Sequence, residues 1–317
     1  MAGYIVRRLI FILPVALLVS FIVFFLIHLV PGDPAAVLLG EDATPQNVAA
    51  LRKQLGLDQP LLTQYVLWLG QAIHGNFGRS IQLQQPVFQA ILQRAPVTIE
   101  LGIASLLFSI VIAIPLGVVS ATRANGRLDT TVNVTSLLGT AIPGFVLGLG
   151  LIVAFAVYIR LFPPGGYVPF SEDPAANLRD LVLPMITLGT GAVAVNLRQV
   201  RASMIEILSQ DYIRTAWAKG LRKPRVYYIH ALRNALLPLI TIVGLQAGAI
   251  LGGAVIVETI FQWPGLGALA VSSLLSKDYP VIQATVLLSA LSYMLVNLLV
   301  DVGYGLLDPR ISYGKGR

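Results

Sequence analysis

Acids and histidines inside apolar sequence are where a membrane chain would do proton or metal chemistry. This chain places few of them there. Glu100, Glu258 and Asp301 stand near the ends of apolar runs, and His28, His74 and His230 fall at run ends or in connecting segments. None forms a charged pair in the middle of a run, as a proton relay would require. H-E-x-x-H and G-x-x-x-x-G-K-[ST] do not occur, so the chain shows neither a zinc-hydrolase signature nor a phosphate-binding loop. With no cysteine, thiolate catalysis, disulfides and zinc–sulfur centres are excluded. No catalytic residue, metal or cofactor is expected on this chain. Three residues are the candidates for lining a pathway. Glu258 ends the run GGAVIVE and is placed to meet an amine, Gly252 thins one helix face, and Asn196 interrupts an otherwise apolar run. Trp263, followed by Pro264, reads as an interfacial aromatic anchor at a turn.

The densest polar chemistry lies elsewhere, in the basic segment Asp211 to Leu239 between two apolar runs. Asp211 is suited to cap a short helix over 212–219, and Gly220 to end it. Pro224 opens a second helix, with Val226, Ile229 and Leu232 at helical spacing. Ile213, Ala216 and Trp217 share one side of the first helix. The small residues Ala216 and Gly220 would let another backbone approach closely. Such a helix suits a groove on a soluble partner. The same arginines also satisfy the positive-inside rule without any partner, and composition alone leaves both readings standing.

The elements that must carry this segment are membrane helices. The 317 residues are 56% hydrophobic and 12% charged, with a mean hydropathy of +0.78, where a soluble domain has roughly 25% charged residues. The net charge of +7 resides in loops, which favours membrane orientation over nucleic acid. Six apolar runs reach the roughly 20 residues of a spanning helix: 9–30, 97–121, 134–159, 181–200, 236–257 and 280–302. Fifteen Lys and Arg fall on one side of these spans and seven on the other, which predicts both termini on the cytoplasmic side. Arg7 and Arg8 precede a first run that is too long for a signal peptide and lacks a small-residue cleavage site, so it reads as a retained helix. The long segment 31–96 falls outside. It contains one helix signal with Thr44 as cap, Pro45 next, Val48, Leu51 and Leu55 on one face and Gly56 as stop. A second pattern runs from Leu61 to Ile73. Their apolar faces need cover from the membrane surface, from their own bundle or from a partner.

Ordered strings along the chain resemble those of ABC importer permeases, in particular the dipeptide/oligopeptide/nickel family and its dipeptide permease B-subunit type. They are VRRLIFILPV near the start, LVPGDPA at Leu29–Ala35, GNFGRSI at Gly75–Ile81 and RAPVTIELG at Arg94–Gly102. DYIRTAWAKGL and HALRNALLP follow, then GGAVIVETIFQWPGLG at Gly252–Gly267, KDYPVIQ and DVGYGLLDPRI. Where the general superfamily loop has Glu-Ala-Ala before its glycine, this chain has Arg214, Thr215 and Ala216, and Leu237-Pro238 lies farther on. Both departures match the peptide-family form, so no glutamate carries a role there.

The resemblance implies an all-α polytopic protein of type I ABC importer permease fold, with six transmembrane helices. It implies a first helix over 1–30, a helical extracytoplasmic insertion over 31–96 and a core domain over 97–317 with a cytoplasmic coupling loop at 201–235. Asp211, Arg214, Thr215, Ala216, Lys219, Gly220 and Leu221 would couple to an ATPase. The expected partners are a second homologous permease subunit, two ATP-binding subunits that hold ATP and Mg, an extracytoplasmic solute-binding protein and lipid, with no nucleic acid. The expected location is the bacterial inner membrane. A self-sufficient carrier or passive channel, and a scaffold that binds without flux, remain the alternatives to a permease for peptides or related small solutes.

Overall fold

The computed structural model describes residues 2–28, 39, 43–54 and 56–307. The string at Leu29–Ala35, Leu55, and the basic residues Arg310, Lys315 and Arg317 lie outside the described residues, as do the side chains of Arg7, Arg8, His28 and Asp301. The described residues are helical apart from turns and one isolated antiparallel bridge between Arg79 and Pro86. The chain divides into two compact units, Met1–Val97 with Pro264–Leu295, and Thr98–Trp263 with Val296–Arg317.

The first unit holds α1 (Ala2–His28), α2 (Pro45–Gln54), α3 (Leu61–Ile73), the start of α4 (Val87–Thr122), α11 (Leu266–Leu275) and the first part of α12 (Tyr279–Leu307). Thr44 accepts a hydrogen bond from the Asn47 N–H at 3.3 Å, the expected N-cap. One face of α3 packs on α1: Tyr65 and Ser20 hydroxyls meet at 2.8 Å, and the Tyr65 and Trp68 rings lie 5.6 and 5.7 Å from that of Phe24. Its Leu62, Val66 and Ile73 stay exposed. The unit's core joins Phe77, Val87, Ile91, Leu269, Val281, Ala284 and Leu287. Buried Asp278 pins the loop before α4, accepting from the Ser80 hydroxyl at 2.5 Å and the Gln82 N–H at 3.1 Å.

The second unit holds the rest of α4, α5 (Arg127–Ala141), α6 (Gly144–Tyr158), α7 (Pro174–Leu208), α8 (Asp211–Ala218), α9 (Arg225–Ala235) and α10 (Leu237–Ile260). The second half of α6 and most of α9 are wound as π-helix. α7 is the hub and packs against α5, α6 and α10. Along α4 the exposed side chains Ile99, Ile103, Leu107 and Val111 recur every fourth residue, whereas Leu101, Ser105, Ser109 and Ala113 on the other face are buried. Large apolar groups outward and small or polar groups inward is the pattern of a helix whose solvent is lipid. The serine hydroxyls satisfy themselves on carbonyls of the preceding turn, Ser105 on Leu101 at 2.8 Å and Ser109 on Leu106 at 2.7 Å.

Among the described residues, three helices are long and apolar enough to cross a membrane: Val87–Thr122, Pro174–Leu208 and Tyr279–Val300. The count rises to five if each of two bent pairs is one span. One pair corrects the sequence reading of 134–159 as a continuous run. α5 ends at Ala141, and α6 sets off at 101° to it. The cause is Pro143, which has no N–H to donate and drives Ile142 out of helical geometry, to ψ 122°. Pro184 produces no such break, and α7 runs unbroken through the weakest apolar stretch and on to Leu208.

Candidate functional site

The basic segment folds into a short helix held against α4, α7 and α9. α7 ends at Leu208, Gln210 is extended, and Asp211 opens α8. Asp211 is therefore the first helical residue and not the cap: Gln210 holds the cap position, and no side chain makes the capping bond. The carboxylate still gains from the positive helix end. Its contact with Arg214 at 3.2 Å is an exposed i,i+3 pair that contributes little. Eight residues are too few for a stable isolated helix. α8 stands because Ile213 and Ala216 are buried among Val118 and Ala121 of α4, Val200 and Met204 of α7, and Val226, Ala231 and Ala235 of α9. Full burial of an isoleucine contributes about 2 kcal/mol.

The helix closes as the glycine signal requires. Gly220 takes φ +73°, its N–H donates to Trp217, and the Leu221 N–H donates to Ala216 at 3.3 Å. Leu221 then folds onto the same cluster. Tyr212 ties α8 to α9: its hydroxyl accepts from the Asn234 amide at 2.9 Å, and Trp217 meets Tyr227 edge to face at 5.9 Å. The coupling candidates thus gather in one preformed module but face different ways. Asp211, Arg214, Thr215, Lys219 and Gly220 are exposed, and a Cβ built on Gly220 meets nothing within 4 Å. Ala216 is turned inward, so its small size serves the packing of α8 on its own bundle and not the approach of another backbone.

The pathway candidates are not gathered in this way. Asn196 is buried between α7 and α4, where its amide donates to the Ser109 hydroxyl at 3.1 Å while its carbonyl oxygen has no partner. Gly252 is exposed, with nothing within 4 Å of an added Cβ. Glu258 is fully enclosed and accepts from the Thr98 hydroxyl at 2.6 Å. Two residues on in α4, Glu100 accepts from the Asn177 amide at 2.7 Å and from the Tyr167 hydroxyl at 3.0 Å. Burial, followed by the neighbouring Glu100, pushes the Tyr167 phenol up to about 12. Trp263 is fully buried edge-on to Tyr167 at 4.9 Å, so it is a core residue of this unit and not an aromatic-belt anchor. The loop comes close to Phe261 at Gly165, where an added Cβ would stand 2.6 Å from the Phe261 carbonyl oxygen, and the Gly166 N–H donates to that oxygen at 2.9 Å. Among the described residues, no three His, Asp or Glu side chains converge as a metal site.

One group escaped the sequence reading. Asp129, in the first turn of α5, is 3% exposed and holds Arg201 of α7 through two bonds of 2.6 and 2.7 Å. It also accepts from the Ser120 hydroxyl at 2.5 Å, the Asn125 N–H at 2.9 Å and the Asn133 amide at 2.7 Å. Bidentate pairing of this kind is the strong form of a charged hydrogen bond. The available signal was an acid just inside a helix start. Arg201 reads in sequence only as one more positive residue of the loop.

Comparison with known proteins follows the same lines. Residues 113–313 match the family model described as the binding-protein-dependent transport system inner membrane component, and residues 1–102 match its N-terminal counterpart. A probable peptide ABC transporter permease protein of Sinorhizobium fredii is 41% identical over 313 residues, covering 99% of this chain and all of that one. The dipeptide transport system permease protein DppB of Escherichia coli is 39% identical over 339 residues, with the same coverage. An inward-facing structure of the MetNI methionine ABC transporter superposes with a TM-score of 0.58 at 18% identity, over 69% of this chain and 97% of that one, which speaks to fold alone. An all-helical bundle with a docked short helix and a family match along nearly its whole length has one reading: this chain belongs to the binding-protein-dependent transport system inner membrane components, the permeases of ABC importers.

Proposed function

We propose that the chain forms half of the translocation pathway of an ATP-driven importer for di- or oligopeptides or related small solutes. The observation that carries this is the α8 module: an exposed polar face on a helix whose other face is locked into α4, α7 and α9. The peptide assignment is supported by full-length relatives named as peptide and dipeptide permeases. In this reading the chain has six spans, α1, α4, the pair α5–α6, α7, α10 and α12, with both termini and α8 cytoplasmic. Residues 31–96 form an extracytoplasmic insertion, and 97–317 form the core domain with the coupling loop 201–235. Two ATP-binding subunits grip the α8 modules of this chain and of a second, homologous permease, and a solute-binding protein delivers cargo from outside.

ATP and Mg belong to the partner subunits. Asp211, Arg214, Thr215, Lys219, Gly220 and Leu221 form or brace the docking face, and Ala216 seats it. Closure of the ATP-binding subunits would push α8 as a rigid body and so shift α4 and α7. Asn196, Gly252 and Glu258 are the pathway candidates.

Gly220 offers the test. At Gly220 an added Cβ meets nothing within 4 Å, so a Gly220→Trp substitution strains chiefly the positive φ, by about 1–2 kcal/mol. The expected result is a folded, membrane-inserted chain that fails to copurify with its ATP-binding subunits and to import a labelled dipeptide. Full assembly and import would refute the docking role. Uphill transport by the isolated chain in liposomes would replace the reading with that of a self-sufficient carrier.

A further inference from the structure

Resting on that reading, we propose that Asp129 is a positioning residue for transport: it fastens the foot of α5 to the block of α4, α7 and α8, so that the bent pair α5–α6 follows the docking helix. The block itself is apolar and tight. At its centre a Cβ added to Gly117 of α4 would stand 2.7 Å from Val200 of α7, closer than side chains pack. Ile213 and Ala216 of α8 enter the same cluster. Pushing α8 therefore moves α4 and α7 with it, because close-packed interfaces transmit displacement and do not absorb it.

α5 is joined differently. Its only two buried side chains among the described residues are Asp129 and Ser136, both polar. Ser136 donates to the Ala194 carbonyl at 3.2 Å. Asp129 draws on α4 through Ser120, on the intervening turn through Asn125, on α5 itself through Asn133 and on α7 through Arg201. Arg201 directly follows Val200, the α7 residue that closes on Gly117. At the other end of α5 the chain turns by 101° at Pro143, where no helical hydrogen bonds carry across. α5 is thus a strut with a break at one end and a directional polar joint at the other. α5 has no buried apolar side chain to key it into the block, so the five hydrogen bonds that converge on one carboxylate are what fix its geometry. Without that carboxylate, α7 would move while α5 lagged.

The absence of cysteine allows the test to be made directly. Thr130→Cys at the foot of α5 and Ser209→Cys at the end of α7 lie at exposed positions and accept spin labels. Distances between the labels are measured in the assembled importer, with and without ATP and vanadate. The expected result is one narrow distribution that stays within about 2 Å between the two states. Adding Asp129→Asn should broaden it or displace it by about 5 Å in one state. Arg201→Lys, which keeps the charge and loses the fork, should give a smaller change, and it decides the matter if Asp129→Asn prevents assembly. Identical distributions in the parent and the available variants would overturn the proposal. In parallel, Asp129→Asn should lower import of labelled dialanine by about fivefold while ATP hydrolysis stays within about twofold. Equal losses in both would mean a structural role only and would also overturn it. A parent complex that hydrolyses ATP without importing dialanine would count against the peptide reading alone, since the distance measurement needs no solute.

Discussion

The two ends of α4 and α7 hold acids in contrasting ways. At one end Asp129 meets a guanidinium through two bonds, and three further donors complete its shell. At the other, Glu100 is held by a tyrosine hydroxyl and an asparagine amide, both neutral. Residues 100 and 120 of α4 are about 30 Å apart at 1.5 Å per residue, so these sites act independently. The charged site adjoins the apolar cluster that seats α8, and the neutral one anchors the loop 160–173 against α4, α7 and Trp263. The difference teaches that the contact between three helices is built with full charge pairing, while the loop is held by hydrogen bonds from neutral groups.

The largest expected effect lies at the charged site. Asp129→Ala should lower stability by about 3 kcal/mol, the low end for breaking a buried ion pair, because the Arg201 side chain is a quarter exposed. Thermal unfolding of the detergent-purified chain measures it, and a loss below that of Tyr167→Phe would erase the contrast. Next come the two close backbone approaches. Gly117→Ala forces Cβ to 2.7 Å from Val200, and Gly165→Ala forces it to 2.6 Å from the Phe261 carbonyl oxygen. Each should cost about 1–3 kcal/mol. Only Gly117→Ala should also weaken copurification with the ATP-binding subunits, because only that glycine lies under α8. A similar loss of assembly in both would show that the two ends are not independent.

At the neutral end, Tyr167→Phe should cost about 1.5 kcal/mol, one part-buried hydrogen bond to a carboxylate. It also has a pH signature. Tyr167 keeps its proton in the folded chain from pH 10 to about 12, where the unfolded phenol has lost it. Its stabilising contribution is complete below pH 10 and is lost as pH rises toward 12. Comparing unfolding midpoints of the parent and Tyr167→Phe across that window should show the parent's advantage shrinking. The smallest effect belongs to Gly220→Asn. Asparagine tolerates a positive φ, so stability should fall by a few tenths of a kcal/mol at most, and any larger loss of assembly would report the partner's surface.

Much of the site was legible in the residues because it rests on local rules. Thr44 caps α2, Gly220 ends α8 with positive φ, and Pro224 precedes α9 as the backbone chemistry of those residues requires. The strings around Asp211–Leu221 and Leu237-Pro238 carry the family resemblance that the full-length relatives bear out. What misled was direction and depth. Trp263 and Ala216 have the composition of an interfacial anchor and a contact tip, yet both face inward. A hydropathy run likewise cannot register that Pro143 turns it through 101°.

Sequence by itself determined that this chain lives in lipid, which family it joins and that Gly220 ends the short helix of its basic segment, because charge content, apolar run length and φ preference are properties of residues and near neighbours. Only the tertiary structure decided that Asp129 and Arg201, 72 residues apart, share one joint, and that α8 is seated by residues from three other helices. Pairings of that kind depend on which helix faces cross, and an acid and an arginine each carry the same local signature whether they meet each other or water.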